Sequence, residues 1–166
     1  MALKKHFRAT LGAALVPLVL SLTLVSCAKP PPPPPKPTVL QISLAVDLNT
    51  NPDARGRASP VVARLLELKS LAAFQSTDFF SLFDHERDAL GNDLVAKEEL
   101  LLKPGDSQQF TRELQPDTRF VAVLAAYRDI ERSRWRASIP VTLNETTPVT
   151  ISVRERDVLI TQLTRK

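Results

Sequence analysis

The chain has 166 residues, with 22 Lys and Arg, 18 Asp and Glu, one cysteine and four glycines. Residues 1–26 hold three of the cations, Lys4, Lys5 and Arg8, and no acid, so the balance of the rest is only +1. A near-neutral body gives no electrostatic case for nucleic-acid binding, and glycines as scattered as Gly56, Gly91 and Gly105 form no phosphate cradle.

Residues 11–25 are apolar apart from small residues, Pro17, Ser21 and Thr23. That is shorter than the ~20 apolar residues a membrane-spanning helix needs. A basic start, a short apolar middle and small residues before Cys27 describe a secretory signal peptide over 1–26. Leu24-Val25-Ser26-Cys27 resembles the lipobox of bacterial lipoproteins, whose cysteine is acylated and becomes the first mature residue. The resemblance implies that Cys27 carries lipid, palmitate included. Cys27 is also the only cysteine, so no disulfide can form. Two acyl chains already anchor a protein stably. Ala28 occupies the place where Asp would retain a lipoprotein at the inner membrane, so the expected location is the outer membrane, facing the periplasm.

The run "KPPPPPPKP" closes the segment 27–37. It reads as polyproline II at ~3.1 Å per residue, a semi-rigid spacer on the order of 25 Å that holds a folded domain off the lipid. A ligand for a proline-recognising groove is the alternative reading of the same run.

One domain then occupies 38–166. Over 38–48, Leu40, Ile42, Leu44, Val46 and Leu48 alternate with Gln41, Ser43 and Asp47, which predicts a half-buried strand. "NTNPDARGRASP" at 49–60 is dense in turn formers and reads as an exposed loop, and an apolar strand follows at 61–68. Between about 70 and 92 the period changes. Phe79, Leu82, Phe83 and Leu90 share a helical stripe, Ser76 or Thr77 is placed to cap it, and Gly91 to end it. Phe74, Phe79, Phe80 and Phe83 crowd this insertion, whose aromatic face either packs on the sheets or docks a partner. Further strands are expected at 95–102, 108–114, 120–127, 135–143, 149–153 and 158–161, separated by "KPGD", "QPD" and "NETTP". Both alternating sets in 120–127 are apolar, as in a central strand covered on two faces. About eight short strands with regular turns make a mainly β fold, a two-sheet β-sandwich with a short helical insertion.

The blocks "NPDARGRASPVVARLLELKS", "F..TDFFSLF", "LG.DL", "PG", "VLAAYRD" and "WR", in this order behind a lipobox, are similar to the TssJ-type (SciN-like) outer-membrane lipoproteins of bacterial type VI secretion systems. The resemblance implies a transthyretin-like sandwich and a structural role without catalysis. It implies a partner, the periplasmic C-terminal region of the inner-membrane subunit TssM. It also implies that the first inter-strand loop touches that partner, here through Asn49, Asn51, Pro52, Asp53, Arg55, Gly56 and Arg57. Arg suits such a surface because its planar fork forms several hydrogen bonds at once. Read without the resemblance, the same loop is a solvated turn.

Catalytic chemistry finds few residues. After the signal peptide His85 is the only histidine, standing in "DHERD" among charges, so a Ser/His/Asp triad could be built around it alone. Glu98 and Glu99 are adjacent on a strand and point to opposite faces. One histidine and an acylated cysteine make no zinc site, so neither metal nor cofactor is expected. Trp135 beside Arg136 is either core or a binding hot spot. A lipid-anchored carrier with a pocket inside the sandwich stays open beside the docking role, as does a periplasmic hydrolase relying on His85.

Overall fold

A computed structural model of the protein describes residues 33–163. The predicted signal peptide, the expected acylation site Cys27 and the first three prolines of the run, Pro30 to Pro32, lie outside the described residues. Among the described residues eight strands form: β1 (Val39–Val46), β2 (Val61–Leu68), β3 (Leu94–Leu102), β4 (Ser107–Glu113), β5 (Phe120–Ala125), β6 (Arg136–Pro140), β7 (Thr146–Val153) and β8 (Val158–Gln162). They make two four-stranded sheets, ordered β4-β1-β7-β8 and β3-β2-β5-β6. All pairs are antiparallel except β1 with β7, which runs parallel.

The alternation in β1 drives the packing. Leu40, Ile42, Leu44 and Val46 point inward and meet Val61, Ala63 and Leu65 of β2, Val121 and Val123 of β5, and Val149 and Ile151 of β7. Each buried aliphatic side chain contributes roughly 1.5–3 kcal/mol, which favours this register over a one-residue slip. Strands β2 and β5 are covered on both faces. Their other sets, Leu66, Leu68, Ala122 and Leu124, lie beneath Phe74, Phe79, Leu82 and Leu90 of the helical insertion. That two-sided burial is the reason 120–127 carries no polar alternation.

The insertion is not one helix. It is α1 (Ala72–Ser76), α2 (Phe79–Asp84), α3 (Glu86–Leu90) and a 3₁₀ turn, Gly91–Asp93. The cap of α2 is Asp78, not Ser76 or Thr77: its carboxylate accepts the Ser81 N–H at 3.0 Å while Thr77 and Asp78 are extended. A side chain that takes a backbone donor in this way starts a new helix and interrupts the old one. Gly91 closes α3 at φ 51, as expected. Helices this short depend on packing. Arg136 provides some of it, donating to the carbonyls of Phe74 (2.7 Å) and Thr77 (2.8 Å). Arg64 provides more, bonded to Glu86 (2.6 Å) and Glu99 (2.8 Å) and lying 4.1 Å over the Phe83 ring. Trp135 is half-buried, edge-on to Phe79 at 5.3 Å, and packs against both apolar clusters.

Strand ends depart from the expected ones by small amounts, each with a local cause. β1 stops at Val46. Asp47 still donates to the Val153 carbonyl, but Thr50 folds back on the Asp47 carbonyl at 3.2 Å, and Leu48, expected inside, is 81% exposed in the resulting turn. β5 stops at Ala125 because the Tyr127 N–H turns onto the Ala125 carbonyl (3.1 Å). β6 is shorter than 135–143 at both ends. β7 starts early, absorbing Thr146, Thr147 and Pro148 from the expected turn. Pro148 is tolerated because its missing N–H lies past the last β7–β8 pair, Val149 with Gln162.

Candidate functional site: the loop end of the sandwich

The chain enters the sandwich at Thr38, and β1 carries it across to Asp47, a span of about 25 Å. At this far end the β1–β2 loop, the β5–β6 connection and the β7–β8 turn come together. Backbone bonds join them: Asn51 N–H to the Glu155 carbonyl (2.9 Å) and Arg134 N–H to the Arg156 carbonyl (2.8 Å). The β3–β4 turn lies beside them, with Gly105 N–H on the Val46 carbonyl (3.1 Å).

The β1–β2 loop has an inner and an outer half. Thr50 and Asn51 form the inner half and are buried. Thr50 Oγ1 donates to the Val153 carbonyl (3.0 Å). Asn51 sits at φ 50, donates Nδ2 to the Pro60 carbonyl (2.8 Å) and accepts the Arg128 N–H on Oδ1 (2.8 Å). Its amide is therefore occupied by the fold. Asn is among the few residues with a side chain that tolerate this left-handed conformation.

The outer half is organised by Asp53. One carboxylate oxygen accepts the N–H groups of Arg55 (2.8 Å) and Arg57 (3.0 Å), and the other accepts Arg57 Nε (2.8 Å). Those bonds hold the Asp53 carboxyl below its usual range, the Arg57 backbone N–H contributing most and the Arg57 side chain next. Gly56, at φ 78, lets the chain reverse so that its N–H reaches the Asp53 carbonyl (2.9 Å). The result is a preformed tip on which Arg55, Gly56 and Arg57 are exposed, with Pro52 half-buried behind them. Asn49 is exposed and donates to Glu155 Oε2 at 3.2 Å.

The expected contact residues thus separate into a buried clamp, Asn51, a shaping carboxylate, Asp53, and a displayed set, Asn49, Arg55, Gly56 and Arg57. Sequence reasoning did not single out the neighbours that complete the surface. Leu48 and the arginines of the other two loops, Arg132, Arg134, Arg154 and Arg156, share a groove with Asp47 and Asn49 or stand at its rim. The signal available was the arginine density of "RDIERSRWR" and "RERD". Behind them Tyr127 is buried and donates to the Asp157 carbonyl (2.7 Å), and burial raises its phenol pKa above the ordinary value.

His85 lies elsewhere, exposed at the junction of α2 and α3. Glu98 and Glu99 diverge as expected, Glu98 pairing with Arg112 and Glu99 with Arg64.

Fold and site together define a class: a small β-sandwich module that receives its chain at one end and gathers ordered, arginine-rich loops at the other. The chain belongs to the type VI secretion lipoprotein family, since the family model described as "Type VI secretion lipoprotein, VasD, EvfM, TssJ, VC_A0113" matches residues 38–156. It is similar to the T6SS lipoprotein TssJ1 from Pseudomonas aeruginosa, with 37% identity and a TM-score of 0.75 over 78% of this chain and 99% of that one. Serratia marcescens Lip, a membrane-bound component of the Type VI Secretion System, shares the fold at 24% identity and a TM-score of 0.69, covering 78% of this chain and 99% of that one. So does a chain of the structure described as "T6SS protein TssM C-terminal domain (869-1107) from EAEC", at 24% identity and a TM-score of 0.62, covering 77% and 99%. No curated protein sequence matches. Among the described residues no helix is long and apolar enough to cross a membrane.

Proposed function

We propose that this chain is the lipid-anchored docking subunit of a type VI secretion membrane complex. It is acylated at Cys27 and held at the outer membrane on its proline-rich spacer. It binds the periplasmic C-terminal region of the inner-membrane subunit TssM, and so ties the machine to the outer membrane. Its role is structural, without catalysis.

The observation that carries this reading is the preformed β1–β2 tip in a chain of this family, facing away from the end at which the linker enters. A loop already shaped by Asp53 loses little conformational freedom when bound. A carrier needs room between the sheets, and that space is filled by Leu40, Ile42, Leu44, Leu65, Val123 and Ile151, which favours docking.

The test is calorimetric titration of the domain Pro34–Lys166, whose apolar clusters draw on no residue before Leu40. The titrant is the periplasmic C-terminal region of TssM from the same organism. Changing Arg55 and Arg57 to Ala together, with Asp53 kept, is expected to weaken binding about tenfold or more at an unchanged melting temperature. A well-folded wild-type domain that binds nothing ends this proposal.

A further inference from the structure

Most arginines with structural roles in this domain use their guanidinium groups within it. Arg64 bonds Glu99, Arg112 bonds Glu67, Arg119 bonds the Pro116 carbonyl and Arg136 bonds the carbonyls of Phe74 and Thr77. The four around the loop-end groove differ. Arg132, Arg134, Arg154 and Arg156 are exposed, and none of their side chains donates a hydrogen bond among the described residues. Three of them form only loose, exposed ion pairs, Arg132 with Asp129 (3.8 Å), Arg154 with Asp157 (4.0 Å) and Arg156 with Glu155 (3.4 Å), and Glu155 and Asp157 line the groove with them. Arg134 has no carboxylate within 4.0 Å among the described residues. Each guanidinium offers five N–H donors in a fixed plane suited to carboxylates.

An apolar feature stands at the rim. Leu48 is 81% exposed between Asp47 and Asn49, both of which line the groove. Its Cδ2 lies against Gly105 so closely that a Cβ there would sit 3.0 Å away, and Gly105 itself is at φ +83. The β3–β4 turn therefore supports Leu48 from below. An exposed apolar side chain next to an arginine-lined groove has the composition of a binding hot spot with a polar rim.

We propose that this groove receives an acidic segment of the periplasmic partner, with Leu48 as the apolar anchor and Arg134 and Arg156 taking carboxylates. The interface then runs from the β1–β2 tip across the β7–β8 turn. This inference rests on the docking reading above and adds the chemistry of the partner's surface. Exposed charge pairs act mainly on encounter rate and are screened by salt, so the effect belongs in the on-rate.

The test measures association and dissociation rates of the TssM C-terminal region on the domain Pro34–Lys166 at about 50 and 300 mM salt. Wild-type association is expected to slow as salt rises. The double change Arg134→Glu and Arg156→Glu should cut the low-salt on-rate about tenfold and flatten its salt dependence. The milder Arg134→Gln and Arg156→Gln pair should act in the same direction by about threefold, a control should the reversed charges disturb folding. Leu48→Ala should quicken dissociation at both salts. If both arginine pairs associate like wild type while the Arg55 and Arg57 changes still weaken binding, the groove plays no part and only this inference falls. If the wild-type domain does not bind, the docking reading falls and takes this one with it.

Discussion

Asn51 and Arg55 stand in the same turn-forming stretch and do opposite work. The Asn51 amide is buried and joins Pro60 to Arg128 across the loop, whereas the Arg55 side chain is exposed on the tip. Asn51→Ala removes both bonds and places a Cβ without a polar partner at φ 50. The expected loss is about 2–3 kcal/mol of stability, read as a lower urea midpoint, while Arg55→Ala should move it by no more than about 0.5 kcal/mol. Equal effects from the two would contradict this division of labour. The sequence marked the loop through its Pro, Gly and Asn residues, but it could not separate the clamp from the display. Both sets are polar, and only the approach of Arg128 and Glu155 from distant segments determines which amide is enclosed.

At the scale of elements, β2 shows how one strand serves two layers. Ala63 and Leu65 face the other sheet, and Leu66 and Leu68 face the helices. Glu67 continues the inward set, yet it is only 2% exposed and charged. Its carboxylate is supplied by Arg112 Nε (3.2 Å), the Gln115 N–H (2.9 Å) and the Thr118 hydroxyl (2.7 Å). Because Arg112 lies on β4 of the opposite sheet, the carboxylate pins the two layers at the linker end. Glu67→Ala should cost about 3–5 kcal/mol by leaving those donors unpaired, and Glu67→Gln less, since an amide oxygen still accepts. Chemical denaturation measures both, and a Glu67→Ala variant as stable as wild type would remove the pin from the account. The strand was legible from its apolar run, whereas the role of Glu67 was not, because its partners lie about fifty residues downstream. The helical insertion was legible as a region and misjudged in detail. The stripe of Phe79, Leu82, Phe83 and Leu90 is continuous in sequence, but Asp78 takes a backbone donor and starts a separate helix.

Across the whole molecule, polarity follows from topology. β1 enters from the linker, and its parallel partner β7 runs the same way, so both deliver their following loops to the same end. The end where the chain enters and the end that gathers the arginine-rich loops are thereby separated by the length of the sheet. On the proposed reading the proline run adds reach and nothing to the fold, since both apolar clusters lie beyond it. Deleting five of the prolines should leave the melting temperature unchanged and lower type VI secretion in a competition assay. Secretion at the wild-type level would show that reach is not limiting.

What the sequence determined by itself is what local pattern carries. A two-residue alternation and apolar runs gave the strands of a sandwich, Pro, Gly and Asp clusters gave its turns, and a basic start with a short apolar stretch before Cys27 gave the expectation of a lipid anchor. The order of the motif blocks pointed to the family, and the family match over residues 38–156 agrees. Tertiary structure alone decided that Leu48 faces out, that Asn51 faces in, and that arginines from residues 132–156 join a loop about 80 to 110 residues earlier. The physical reason is that exposure and charge proximity are properties of the folded surface. They are set by which strands pair and where each ladder ends, and no window of the chain contains that information.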